Sequence, residues 1–161
     1  MGLTVCPAAV VAAPVEVVWG NLVQWERWPK WRNDIQVERI EPEGPATVGQ
    51  TISFAGKVLG RTLHFSFKVE EVNPERYQLG LHGFLLLGLQ GKSRISCTPI
   101  DATTCRVQYV ETAIFPQGWW GWFLETCGAK AFAASIEDSL QRLKRASERQ
   151  YQQAREQKGN R

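Results

Sequence analysis

From residue 34 onward apolar and polar side chains alternate with a period of two, and from residue 117 the period lengthens to that of a helix. Segments 35–40, 51–55, 61–72, 77–82, 91–98 and 104–115 read as consecutive strands. Pro, Gly and Asn-Pro punctuation separates them at 42–45, 56–60, 73–74, 83–91 and 99–103. Connections this short favour antiparallel meander pairing. Ahead of them, 3–12 reads as a first strand ended by Ala13 and Pro14. Pro14 suits the first turn of a helix, and Val15, Val18, Trp19 and Leu22 then recur at i, i+3, i+4 and i+7. That predicts a short amphipathic helix to about Gln24, followed by a second short turn over 25–31 (WERWPKW) stopped by Pro29.

The stretch 117–153 contains no Pro, and its second half is rich in Ala, Glu, Gln, Lys, Arg and Leu. At about 100° per residue, Trp122, Ala129, Phe132, Ala133, Ile136, Leu140 and Leu143 share one face. That stripe needs a large apolar surface, and the strands are the one on offer. Glu125 sits close to the same line, so either the helix there faces a cavity or Gly121 and Gly128 break the stripe. A domain of this length is roughly 40 Å across, whereas the helix would be roughly 55 Å long. Residues 148–161 should therefore overhang a domain spanning 1–147 as a solvated, partly frayed tail. The fold class is α+β, with a sheet of about seven strands and the helices gathered on one face.

The stretch AAPVEVVWGNLVQWERWPKW at 12–31 resembles a feature of the SRPBCC superfamily, which includes START, polyketide cyclase/dehydratase and Bet v 1-like proteins. Pro14, Val18, Trp19, Leu22, Trp28, Pro29 and Trp31 carry the likeness, and Gln24 stands where an acidic residue is common. The order of elements extends it through Leu143. The resemblance implies a helix-grip: a curved antiparallel sheet wrapped around the long C-terminal helix, with a cavity between them. It implies a lipid, sterol or polyketide ligand, or a polyketide cyclase/dehydratase activity, without choosing among them.

Strand parity indicates which residues face such a cavity. In 61–72, Leu63, Phe65, Phe67 and Val69 point in; in 77–82, Tyr77, Leu79 and Leu81 do. Ser93, Ile95 and Cys97 follow in the next strand, then Val107, Tyr109, Glu111 and Ala113. From the helix come Trp122, Glu125, Ala129 and Phe132. A buried unpaired carboxylate is costly. Glu111 and Glu125 near Tyr109 and Ser93 thus mark either the polar end of a ligand pocket or residues at a solvated mouth, with Glu125 pairing Lys130 or Arg94. A register slip after Val107 would turn Glu111 outward. His64 and His82 are placed outside as diagonal neighbours. Trp19, Trp28 and Trp31 should pack the short helices, with Trp25 more exposed.

Two apolar segments fall in turns, GFLLLGLQG at 83–91 and IFPQGWWGWFL at 114–124. Phe84, Leu86, Leu87, Phe115, Trp119 and Trp120 would form a cavity rim. Such a rim can cap the pocket, bury against a second subunit in a homodimer, or touch a membrane transiently.

Composition narrows the classes further. The 161 residues are 43% hydrophobic, enough for one full-sized core. The net charge of +3 concentrates toward the helix end, and no basic cluster is interleaved with stacking aromatics, so nucleic acid is not an expected partner. Cys6, Cys97, Cys105 and Cys127 lack CxxC spacing, so neither a metal nor a cofactor is expected. Cys97 and Cys105 would face each other across a hairpin as reduced, half-buried thiols. The chain has no leader-like start and no run of about 18 apolar residues, which predicts a cytoplasmic protein. The leading expectation is binding, or transport, of a hydrophobic small molecule. The alternatives are a cyclase/dehydratase with Glu111, Glu125 and Tyr109 as catalytic candidates, and an interaction module using the rim.

Overall fold

The computed structural model describes all residues except 1, 33, 59–60, 85–87 and 160–161, and leaves out the side chains at 57, 58, 61, 120 and 124. The first predicted strand is two, β1 (Gly2–Val5) and β2 (Ala8–Val11), both antiparallel to β8. Pro7 separates them because it has no N–H to give a ladder, but its carbonyl accepts the Tyr109 N–H at 2.9 Å. Helix α1 (Val15–Val23) follows, then a 3₁₀ helix (Trp25–Lys30) that contains Pro29 instead of stopping at it. Trp25 is fully buried, against expectation, since its indole N–H donates to the buried Gln50 side chain at 2.9 Å.

The remaining strands are β3 (Ile35–Glu41), β4 (Thr51–Val58), β5 (Arg61–Asn73), β6 (Gln78–Phe84), β7 (Gln90–Asp101) and β8 (Thr104–Ile114). They form an eight-stranded antiparallel sheet in the order β1-β8-β7-β6-β5-β4-β3, with β2 also on β8. Several strands run through residues that read as turn signals. Gly56 lies inside β4 because a Cβ there would come within 3.0 Å of the Phe65 ring; at Gly83 in β6 it would come within 2.5 Å of the Phe67 ring. These glycines serve close approach, not turning. Register shifts between Val37 and Arg39 and between Val69 and Glu71 bend the sheet into a concave grip.

Helix α2 (Trp119–Gly159) crosses the concave face and packs on α1, β1, β2 and β8. Ile136, Leu140, Leu143 and Ser147 are buried along it, and Tyr151 packs on the same core. Ser147 accepts from Asn21 Nδ2 at 3.0 Å, and Glu148 Oε1 accepts the Ala12 N–H at 2.9 Å. Contact therefore continues past Leu143 as far as Tyr151, and the helix runs on through Gly159 with 152–159 exposed. The apolar stripe hid this because a paired serine continues it.

The other end of α2 departs from the stripe as well. Trp122 is 60% exposed and does not face the sheet. The face turned inward there carries Phe132 and Ile136 together with Gly128, Ala131 and Ser135, whose small side chains leave part of the gap unfilled. Gly121 is buried, and a Cβ on it would lie 1.8 Å from the Pro116 carbonyl oxygen, whereas one on Gly128 would meet nothing within 4 Å. Gly121→Ala should therefore cost more than about 2 kcal/mol in urea unfolding, while Gly128→Ala is neutral or gains up to about 1 kcal/mol. Equal effects from the two substitutions would contradict this placement of the α2 start.

Candidate functional site

Between the first half of α2 and strands β4–β8 lies a cavity of about 590 Å³. That volume is typical of small-molecule sites. Sheet register lays out its floor in cross-strand rows. Phe67, Gly83, Gly91 and Ala113 form one row, in which the Phe67 ring covers Gly83 while Gly91 and Ala113 keep the floor open. The next row holds Leu81, Ser93 and Glu111; beyond it Tyr109 still lines the cavity, while its row partners Leu79 and Ile95 lie in the core. Trp28, Phe54, Phe65 and Phe67 make an aromatic wall: Trp28 and Phe54 stack at 5.7 Å, and Phe54 and Phe65 at 5.8 Å.

One end of the cavity is polar. Glu111 is only 6% exposed and Ser93 Oγ donates to its Oε2. The Tyr109 hydroxyl also lies within hydrogen-bonding reach of the Glu111 carboxyl. Arg32 completes the cluster, donating through Nη1 to Tyr109 Oη at 3.0 Å and through Nε and Nη2 to Asp34 at 3.0 and 3.1 Å. Burial pushes the Glu111 carboxyl up to about 7, against the pull of the Ser93 hydrogen bond, the Arg32 charge and the Tyr109 hydrogen bond. Burial, with Glu111 beside it, likewise raises Tyr109. Burial alone would lower Arg32, but Tyr109, Asp34 and Glu111 together hold it above its ordinary value.

The strand-parity residues divide between cavity and core. Phe65, Phe67, Leu81, Ser93, Tyr109 and Glu111 line the cavity, as does Phe132 from α2. Leu79, Ile95 and Val107 are buried in the core and do not line it. Trp122, Glu125 and Ala129 also lie off the lining, because the cavity-facing side of α2 is rotated toward Gly128 and Ser135. Glu125 is half-buried, and its Oε2 has no hydrogen-bond partner among the described residues; Arg94 pairs with Glu71 at 3.4 Å instead. Periodicity does not single out Arg32 and Asp34, which fall in an irregular stretch where no period assigns a face. The Arg-x-Asp spacing beside a buried Trp31 is the one local signal.

The histidines are not neighbours. His64 pairs with Glu38 at 2.9 Å and His82 with Glu70 at 3.1 Å, and the register sets His82 opposite Lys68, four residues along β5 from His64. Cys97 and Cys105 are fully buried, but Cys97 lies opposite Val107 and Cys105 opposite Pro99. No three His, Cys, Asp or Glu side chains gather as a metal-ligand set among the described residues. No described helix is long and apolar enough to cross a membrane.

At the mouth, Phe84, Trp119, Trp122 and Phe123 are exposed, and Gly88 approaches Pro116. Phe115 is buried and lines the cavity, so it belongs to the wall and not the rim. Leu86, Leu87 and the Trp120 side chain lie outside the described residues. A larger external groove of about 890 Å³ runs beside the 3₁₀ helix and β3, lined by Glu26, Glu38, Glu41 and Glu43 among others. It shares none of the buried polar cluster, so the internal cavity is the candidate site.

A curved sheet gripping one long helix over a lined cavity defines a helix-grip protein. Residues 5–148 match the model of the family described as polyketide cyclase / dehydrase and lipid transport, and the chain belongs to that family, within the SRPBCC superfamily. Among solved structures it is similar to the Zhui aromatase/cyclase from Streptomyces sp. R1128, at 14% identity and TM-score 0.72 over 92% of this chain and 95% of that one. Norcoclaurine synthase from Thalictrum flavum aligns at 15% identity and TM-score 0.65, covering 91% and 94% of the two chains. A Thermus thermophilus protein aligns at 16% identity and TM-score 0.71, covering 90% and 97%. Identities this low carry the fold alone. No curated protein matches the chain by sequence.

The raised carboxyl has a consequence for stability. The folded state holds the Glu111 proton more tightly than the unfolded chain does, so its favourable contribution is complete below the ordinary carboxylate range and is lost as pH rises through about 7. Relative to Glu111→Gln, the wild type should lose up to about 3 kcal/mol between pH 5 and pH 8 in urea unfolding. A difference that stays constant with pH would show that Glu111 is ionised throughout.

Proposed function

We propose that this chain binds, and holds or carries, a hydrophobic small molecule of lipid- or polyketide-like size between sheet and α2. The observation that carries the proposal is the cavity of about 590 Å³, apolar along its aromatic wall and polar at the Ser93, Tyr109 and Glu111 end. Burying roughly 300 Å² of ligand hydrocarbon would supply about 7 kcal/mol. Part of that is offset by the loss of ligand freedom. The polar end would orient one oxygen of the ligand. Family membership supports the same reading.

Native mass spectrometry of protein purified from its source should show a co-purifying small molecule. In Gly128→Phe it should be absent, because the new ring projects from α2 into space that holds no neighbour. A folded wild type that is always empty would remove the binding role.

A second reading, a cyclase/dehydratase-type enzyme, is favoured by one observation: a buried carboxyl pushed up to about 7 beside a tyrosine hydroxyl. Such a group can both give and take a proton near neutral pH. The solved relatives named an aromatase/cyclase and a synthase lean the same way. On this reading turnover of a poly-β-ketone falls at least about 100-fold in Glu111→Gln. Turnover unaffected by that substitution would leave binding alone.

A further inference from the structure

The polar cluster discriminates between kinds of ligand oxygen. Its charges are nearly closed on themselves: Arg32 spends three donor contacts on Asp34 and Tyr109. With Glu111 neutral the Arg32, Asp34 and Glu111 group carries no net charge; with Glu111 ionised it carries one negative charge against an apolar wall. Among the described residues, no other titratable group faces the carboxyl from the elements packed around it. Leu81 lies on the β6 side and Val5 on the β1 side, and the cavity face of α2 offers Gly128, Ala131, Phe132, Ser135 and Ile136.

The hydrogen-bond directions complete the picture. Tyr109 Oη accepts from Arg32, so its own proton points onward, to Ser93 or Glu111, both within its reach. Ser93 Oγ donates to Glu111 Oε2. Donors thus run in sequence from Arg32 through Tyr109 and Ser93 toward Glu111 Oε2, so the donor capacity of the protonated carboxyl is left for the cavity that Glu111 lines. The cavity is where that proton can go.

We infer that Glu111 engages the ligand as the neutral acid, donating to a hydrogen-bond-accepting oxygen, so that the cavity selects uncharged, carbonyl-bearing hydrophobic molecules and excludes carboxylates. Binding is then tied to one proton. Its raised proton affinity supports this, because the donor form prevails up to about pH 7. A fatty-acid carboxylate would bring an unpaired negative charge into an apolar space whose lining cation, Arg32, is already engaged by Asp34 and Tyr109. The inference rests on the reading that the cavity takes a small molecule.

The test uses the full chain and prodan, an uncharged naphthyl ketone whose emission moves to the red when its carbonyl accepts a hydrogen bond. At pH 5.5 prodan should bind with red-shifted emission. At pH 8.5, where about 3% of the carboxyl keeps its proton, the dissociation constant should rise about 30-fold and the bound emission move to the blue. Glu111→Gln, which keeps an N–H donor, should bind at both pH values alike with the red-shifted emission retained. Glu111→Leu should bind alike at both with blue emission. Equal affinity and emission of the wild type at the two pH values would overturn the inference and leave the cavity reading intact; so would a pH dependence that survives in Glu111→Gln. No prodan binding at either pH would remove the cavity reading and the inference with it. The wild-type titration decides the matter even if a variant fails to fold.

Discussion

The anchoring of α2 by its second half governs everything else in this molecule. Ile136, Leu140, Leu143 and Ser147 are buried against α1 and the β1, β2 and β8 side of the sheet, and Glu148 ties the helix to the Ala12 backbone. A straight helix fixed there must carry its first half across the concave sheet wherever the axis leads. With Gly128, Ala131 and Ser135 interspersed with Phe132 and Ile136 on that side, it spans the hollow without filling it. The cavity is thus a product of where bulk is placed along one rod.

The sheet contributes through omission as much as through bulk. Gly83, Gly91 and Ala113 form a row of near-absent side chains across β6, β7 and β8, while Gly56 and Gly83 let the Phe65 and Phe67 rings lie close to the backbone. Trp28 joins those rings into one wall, and its indole N–H is satisfied by the Leu22 carbonyl at 2.9 Å, so the wall offers no stray donor. Polar chemistry is confined to one end of the space, and the confinement gives it strength. In water the Glu111, Tyr109 and Arg32 side chains would be ordinary; among apolar neighbours burial holds the protons on Glu111 and Tyr109, and Tyr109, Asp34 and Glu111 together keep Arg32 charged.

Much of the architecture was legible beforehand. Period-two alternation located six of the eight strands, and the long helix and the Trp-rich short helices followed from spacing and punctuation. Parity alone put Ser93, Tyr109 and Glu111 on one face, because a side chain in a ladder has only two directions to choose from. The same logic failed for Trp122. A helix offers a continuous range of directions, and its apolar stripe shows where bulk lies, not which side meets the sheet. It failed also for Leu79, Ile95 and Val107, which share the inward parity but sit below the cavity floor.

The chain by itself determined the succession of elements and the parity that sets Glu111 beside Ser93 and Tyr109 on the inward face, since these follow from local periodicity; that Glu111 is buried there was decided by the fold. The tertiary structure alone decided that Arg32 and Asp34 join Glu111 and Tyr109. Arg32 and Tyr109 are 77 positions apart, and no local pattern carries that distance. It also decided that the helix keeps contact beyond Leu143 and that the hollow stays open. Such outcomes depend on how two surfaces meet, and that is a property of the assembled layers and not of any one of them.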